Sequence, residues 1–63
     1  MTFMDAVEVC QGWPADRSAP RKLAAMIDAA KGEDRTFMRQ LVETLEVAAT
    51  SAEDYKLIRK YFP

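Results

Sequence analysis

The sequence predicts an all-α fold, a compact bundle of four short helices at about residues 3–11, 20–31, 35–49 and 52–61. Two observations lead to this prediction. Apolar residues recur at helical spacing in each segment, and glycine, proline or capping residues separate the segments. With 63 residues the chain has room for one domain, residues 1–63, which buries only about 60% of the surface that its unfolded form exposes. Because the connections are short, we expect neighbouring helices to be in close contact.

The first predicted helix is mostly apolar and carries only a narrow polar stripe. Thr2 and Asp5 have the spacing of a capping box, so the helix is expected to begin there. Gly12 in a left-handed conformation and Pro14 are expected to end it. A helix with so little polar surface is expected to be buried on most sides or covered by a second copy. We therefore expect a homodimer with this helix near the interface.

The second predicted helix begins near Pro20, a residue that is tolerated in a first helical turn. Ser18 or Ala19 is the expected cap. Gly32 is expected to end the helix, with Lys31 favourably placed in its last turn. One face is apolar, formed by Leu23, Met26, Ile27 and Ala30.

The third predicted helix contains the longest uninterrupted helical pattern of the chain, with Asp34 as its expected cap. Its apolar residues fall within an arc of about 140°. Leu41 and Leu45 lie near the middle of that arc, so we expect both to be deeply buried and the helix to lie at the centre of the fold. The arc comprises Phe37, Met38, Leu41, Val42, Leu45, Ala48 and Ala49.

The fourth predicted helix follows two overlapping capping-box patterns, Thr50 with Glu53 and Ser51 with Asp54. Its apolar face is formed by Tyr55, Ile58 and Phe62, and is widened by Leu57 and Tyr61.

The composition argues against an enzyme. The chain has no histidine, which is the commonest general base, and its single cysteine, Cys10, allows neither an internal disulfide nor a Cys/His zinc site. Ser18 and Ser51 are interpreted as helix caps, Cys10 as a small core residue, and two glycines are too few for a phosphate-binding loop. We therefore expect no catalytic residues, no metal site, no cofactor and no small-molecule substrate.

Charge and hydropathy indicate the setting in which the chain acts. The formal net charge is −1, and no apolar run approaches the roughly 20 residues of a membrane span. The first ten residues lack the basic start of a signal peptide. We therefore expect a cytoplasmic protein that does not associate with membranes.

The leading functional interpretation is a small non-enzymatic module that binds another protein and has a regulatory role. It rests on four apolar or aromatic residues in unusual places, since aromatic residues are common binding anchors. Trp13 also has a second interpretation, in which it folds over the core. The candidate protein-binding residues are Trp13 in the proline-containing loop, Val47 on the polar face of the third helix, and Leu57 and Tyr61 at the margin of the fourth.

The alternative is a small helix-turn-helix DNA-binding protein whose recognition helix is residues 35–49. Its base-reading side chains would be Arg35, Thr36, Arg39 and Gln40. Residues 33–54, however, carry six acidic side chains that would repel the same phosphates. We therefore expect no nucleic-acid binding, and specifically no duplex DNA binding tighter than about 10 µM near physiological salt.

Overall fold

A computed structural model describes residues 3–63, and within that range the chain folds into four α-helices without a strand. The all-α bundle predicted from the sequence is therefore confirmed. The first and last helices have the predicted bounds, whereas the capping box predicted at Thr2 lies outside the described residues. The fold measures 32 × 21 × 16 Å. Its helices are α1 (Phe3–Gln11), α2 (Ala19–Ala29), α3 (Glu33–Ala48) and α4 (Ala52–Tyr61).

The turn between α2 and α3 differs from the prediction. α2 ends at Ala29, and Ala30 already has an extended backbone with φ −82° and ψ 156°. Gly32, with φ 62° and ψ −136°, is the N-cap of α3, which begins at Glu33. The predictions that Gly32 ends α2 and that Asp34 caps α3 were therefore wrong. Glycine supplies here the positive φ that redirects the chain into α3, and Asp34 falls inside the first helical turn.

The loop after α1 also turns differently from the prediction. Gly12 does not have a positive φ, since Gly32 is the glycine with that conformation among residues 3–63. The loop is instead closed by hydrogen bonds, with the Asp16 N–H donating to the Gly12 carbonyl at 2.7 Å. A Cβ atom at position 12 would lie 3.3 Å from the Asp16 Cβ, so glycine fits this close approach. The Trp13–Pro14 peptide bond is cis.

α2 and α3 share the centre of the fold, because each contacts all three other helices. α3 is therefore central, as expected, and α2 shares that position. Leu45 is completely buried as predicted, whereas Leu41 is only half-buried. At 100° per residue the covered face of α3 lies around Met38 and Leu45, and Leu41 lies to one side of it. The buried apolar residues are Ala6, Cys10, Trp13, Ala19, Leu23, Met26, Ile27, Met38, Leu45 and Ile58.

α1 packs against α2 and α3 and is covered less completely than expected. Ala6 and Cys10 are buried, but Met4 is 64% exposed. The Phe3 ring meets the ring of Phe37 edge-on with centroids 5.9 Å apart, and Phe37 itself is 46% exposed. An apolar surface therefore remains open where α1 meets the start of α3. Among the described residues, no helix combines the length and apolar character needed to cross a membrane.

Candidate binding site

Trp13 belongs to the core and is not a surface anchor. Its side chain is 5% exposed, and its indole N–H donates to the Leu45 carbonyl at 2.9 Å. That carbonyl lies in the last turn of α3, where carbonyls lack partners within the helix. The structure thus supports the second interpretation of Trp13 and corrects its place among the exposed candidate residues.

A polar cluster holds the loop of residues 12–18 against the start of α4. The Arg17 guanidinium lies 4.9 Å from the centre of the Trp13 ring, and its Nη1 atom donates to Asp54 Oδ1 at 2.6 Å. This ion pair joins residues that are 37 positions apart in the chain. It fixes the loop that carries Trp13 over the core.

Asp54 is the acceptor at the centre of this cluster, and its side chain is largely buried. Its Oδ2 atom accepts from the Thr50 N–H at 2.8 Å and from the Thr50 hydroxyl at 3.2 Å. The Thr50 N–H, followed by the Arg17 hydrogen bond, lowers the pKa of Asp54 to about 2. The Asp54 N–H donates to Ser51 Oγ at 3.2 Å, which confirms Ser51 as the N-cap of α4. The carboxylate is thus held by groups of its own chain, which is a structural role.

Ser18 is the N-cap residue of α2, as predicted, and its carbonyl accepts from the Lys22 N–H at 2.9 Å, but its side chain makes no capping hydrogen bond. Its hydroxyl and its backbone N–H both donate to Asp16 Oδ1, and these bonds lower the pKa of Asp16.

Cys10 is buried, and this burial raises the pKa of its thiol. Cys10 is therefore a core residue, as predicted. Within residues 3–63 there is no group of three acidic or cysteine side chains placed to hold a metal ion.

A cleft of about 470 Å³ lies between α2, α3 and the last residues of the chain; we call it the C-terminal groove. Its floor is apolar: Ile27 is 5% exposed, and Val42, Tyr61 and Phe62 are half-buried. Its rim carries exposed charged side chains from two helices. The groove is lined by Ala24, Ile27 and Asp28 from α2, by Arg35, Arg39 and Val42 from α3, and by Tyr61, Phe62 and Pro63.

A second cleft, of about 420 Å³, shares Phe62 and Pro63 with the C-terminal groove and lies between α3 and α4. On α3, the residues lining the two clefts are spaced by four, three and four positions, which places them on one side of the helix. The clefts therefore follow the same side of α3. Along that side they are lined by Arg35, Arg39, Val42 and Glu46, with Tyr55, Ile58 and Arg59 contributed by α4.

The arginines of these clefts have no carboxylate partner within residues 3–63. The ion pairs between described side chains are Arg17–Asp54, Lys22–Asp16 and Lys56–Glu53. Arg35, Arg39 and Arg59 are exposed and take part in none of them. Their guanidinium groups are therefore available to an anionic partner.

The structure separates the residues predicted to bind protein. Tyr61 lines the C-terminal groove, Leu57 is half-buried against the core, and Val47 is 80% exposed on another side of α3. With Trp13 in the core, the four residues do not form one surface. Sequence reasoning did not select Phe62 and Val42 as site residues. For Val42 a signal was present, because its spacing after Arg35 and Arg39 places all three residues on one side of α3.

The residues of the DNA-binding alternative are also divided between two sides of α3. Arg35 and Arg39 line the C-terminal groove, whereas Gln40 lines a shallow cleft with Val47. Counting 100° per residue, the side of α3 facing away from the core carries Thr36, Gln40, Glu43 and Val47. That outward side has a carboxylate and no arginine.

Comparisons of the chain with protein-family models, with curated proteins and with solved structures find no match.

Proposed function

We propose that the chain is a small non-enzymatic module that binds another protein through the C-terminal groove and thereby has a regulatory role. One observation carries this proposal: the groove combines a half-buried apolar floor with exposed arginines that have no partner within residues 3–63. Protein interfaces typically pair an apolar centre with a polar rim, and arginine is enriched in them. The interior polar groups support binding over catalysis, since Asp54 and the Trp13 N–H are already bonded within the chain.

The proposal includes a cytoplasmic setting and self-association. A lone buried cysteine fits a reducing compartment. Met4 and Phe37, exposed beside Phe3, offer an apolar surface through which two copies would pair. A monomer mass in light scattering at high micromolar concentration would remove the homodimer from the proposal and leave the C-terminal groove unaffected.

DNA binding is the alternative function, and the arrangement of α3 argues against it. A recognition helix presents its base-reading side chains outward into the major groove. Here the outward side carries Glu43, and Arg35 and Arg39 lie at the edge of a concave cleft. We therefore expect duplex DNA to bind no more tightly than about 10 µM near physiological salt.

Affinity capture from a lysate of the source cells, with and without nuclease, tests the proposal. Two matched variants make the test specific to the groove. Asp28→Trp places a bulky ring at the rim of the C-terminal groove, whereas Ala25→Trp places the same ring on an exposed position of α2 outside it. Circular dichroism establishes that both variants remain helical.

We expect to capture a protein whose binding withstands nuclease treatment. The Ala25→Trp variant should still capture it, and the Asp28→Trp variant should not. If no protein is captured after nuclease treatment, the proposal is wrong. If only nuclease-sensitive material is captured, the DNA-binding alternative takes its place.

A further inference from the structure

We propose that the C-terminal groove binds an acidic amphipathic segment of the partner protein, with apolar side chains on the groove floor and carboxylates bound by Arg35 and Arg39. This inference rests on the proposed protein-binding function and specifies the chemistry of the partner.

The two arginines are placed to act together on carboxylates. They are four residues apart, so they lie on the same side of α3, about 6 Å apart along its axis. A guanidinium group binds a carboxylate through two parallel hydrogen bonds, and such charge-assisted bonds are stronger than neutral ones. Because neither arginine is paired within residues 3–63, no intramolecular ion pair has to break when a carboxylate binds.

The floor of the groove supplies the apolar half of the recognition. Val42, Tyr61 and Phe62 are half-buried around the buried Ile27, so a partner can still remove part of their apolar surface from water. The cleft has a volume of about 470 Å³ that side chains of the partner can occupy. An amphipathic helix lying in an apolar groove is a recurring mode of peptide recognition.

The charges around the groove set the orientation of the partner. Arg35 and Arg39 lie on the α3 side, and Asp28 lies on the α2 side. The second cleft, which shares Phe62 with the C-terminal groove, is lined by both Arg59 and Glu46. The acidic side of the partner should therefore face α3, while a neutral or basic side faces Asp28.

Other occupants fit these observations less well. A DNA duplex cannot place its phosphates on the apolar floor of a concave cleft, and the acidic outward side of α3 would repel it. A second copy of the chain would have to bring its own acidic side chains to this groove, and its presence would show as a dimer that depends on Arg35 and Arg39.

The test uses two labelled synthetic peptides of roughly 14 residues, a length of about four helical turns. Both carry leucine and phenylalanine at helical spacing. One has glutamates on one flank of the apolar face, and the other has lysines at the same positions. Fluorescence anisotropy measures their affinities at low and at physiological salt.

We expect the glutamate peptide to bind at least about tenfold more tightly than the lysine peptide at physiological salt, a difference of about 1.4 kcal/mol. The double variant Arg35→Ala/Arg39→Ala should weaken binding of the glutamate peptide by tenfold or more, that is by at least about 1.4 kcal/mol. The matched control is Arg21→Ala/Lys31→Ala, which removes the same charge from exposed positions outside the clefts. It should change the affinity by less than about twofold, because neither side chain lines a cleft.

The inference would be overturned by binding of neither peptide, by equal affinity for both, or by an equal effect of the two double variants. Duplex DNA binding that is tighter than binding of the glutamate peptide and depends on Arg35 and Arg39 would also overturn it. A dimer in light scattering that Arg35→Ala/Arg39→Ala converts to a monomer would also overturn it, since a second copy would then be the occupant.

Failure of this inference can be distinguished from failure of the proposed function. If lysate capture yields a nuclease-resistant partner that Asp28→Trp blocks, but the glutamate peptide does not bind, the partner class is wrong and the function stands. If the peptide binds as expected and no partner is captured, the chemistry of the groove stands and the proposed function does not.

Discussion

Replacing Leu45 with alanine should remove a large part of the stability of this domain. The Leu45 side chain is 0% exposed, and Leu45→Ala deletes three buried carbon atoms. At about 0.8 kcal/mol for each buried methylene the transfer term alone is about 2.4 kcal/mol, and the remaining cavity raises the expected loss to about 2–5 kcal/mol. A chain of this size has a total free energy of unfolding of about 3–9 kcal/mol. The melting temperature should therefore fall by at least about 10 °C.

Thermal and urea unfolding, followed by far-ultraviolet circular dichroism, measure this loss. Val47→Ala is the matched control, because Val47 lies two positions further along α3 and is 80% exposed. It should change the free energy of unfolding by no more than about 0.5 kcal/mol. A Leu45→Ala variant that melts within a few degrees of the parent would refute the packing described for α3. A large effect of Val47→Ala would instead show that this surface is covered in solution.

Three further predictions concern the loop, the polar cluster and the turn. Trp13→Phe leaves the Leu45 carbonyl without its donor and should cost about 1–3 kcal/mol, measured by urea unfolding. The Thr50 and Arg17 hydrogen bonds lower the pKa of Asp54 from 3.8 to about 2. The contribution of Asp54 to stability is therefore complete above pH 4 and is lost as the pH falls through about 2, which melting curves across that range will show. Gly32→Ala should lower stability by about 1–2 kcal/mol in thermal melts, since φ is 62° there.

Each of these predictions has its own control. An unchanged Trp13→Phe variant would mean that water or another donor satisfies the Leu45 carbonyl. Asp54→Asn should have a flatter stability profile between pH 4 and 2 than the parent, and an equally steep profile would assign the acid loss to other carboxylates. At position 32, a D-alanine introduced by chemical synthesis adopts positive φ without strain and should restore the stability that Gly32→Ala loses. If both alanines destabilise equally, side-chain space and not backbone strain is the cause.

The features that the sequence predicted correctly depend on neighbours in the chain. The helical periods predict four helices, and the predicted bounds of α1 and α4 agree with the structure. Ser51 caps α4 because its hydroxyl and the Asp54 N–H are only three positions apart. Gly32 shows the limit of such local signals, since a glycine between two helices can end one or cap the next.

The candidate site was predicted only in fragments. Tyr61, Arg35 and Arg39 were singled out from the sequence, but for two different functions, and nothing in the pattern placed them around one cleft. The C-terminal groove forms because α2, α3 and the last residues of the chain meet, and that meeting depends on how the helices cross.

Tertiary packing also decided how the interior is used. The sequence alone determined that α3 has an apolar side, but the positions of α1, α2 and α4 determined that Leu45 is completely covered and Leu41 is not. The Trp13 bond to Leu45 and the Arg17–Asp54 pair join residues more than 30 positions apart. Helical periodicity carries no information about such pairs, because it describes one helix at a time, whereas burial and long-range bonds depend on the distances between helices.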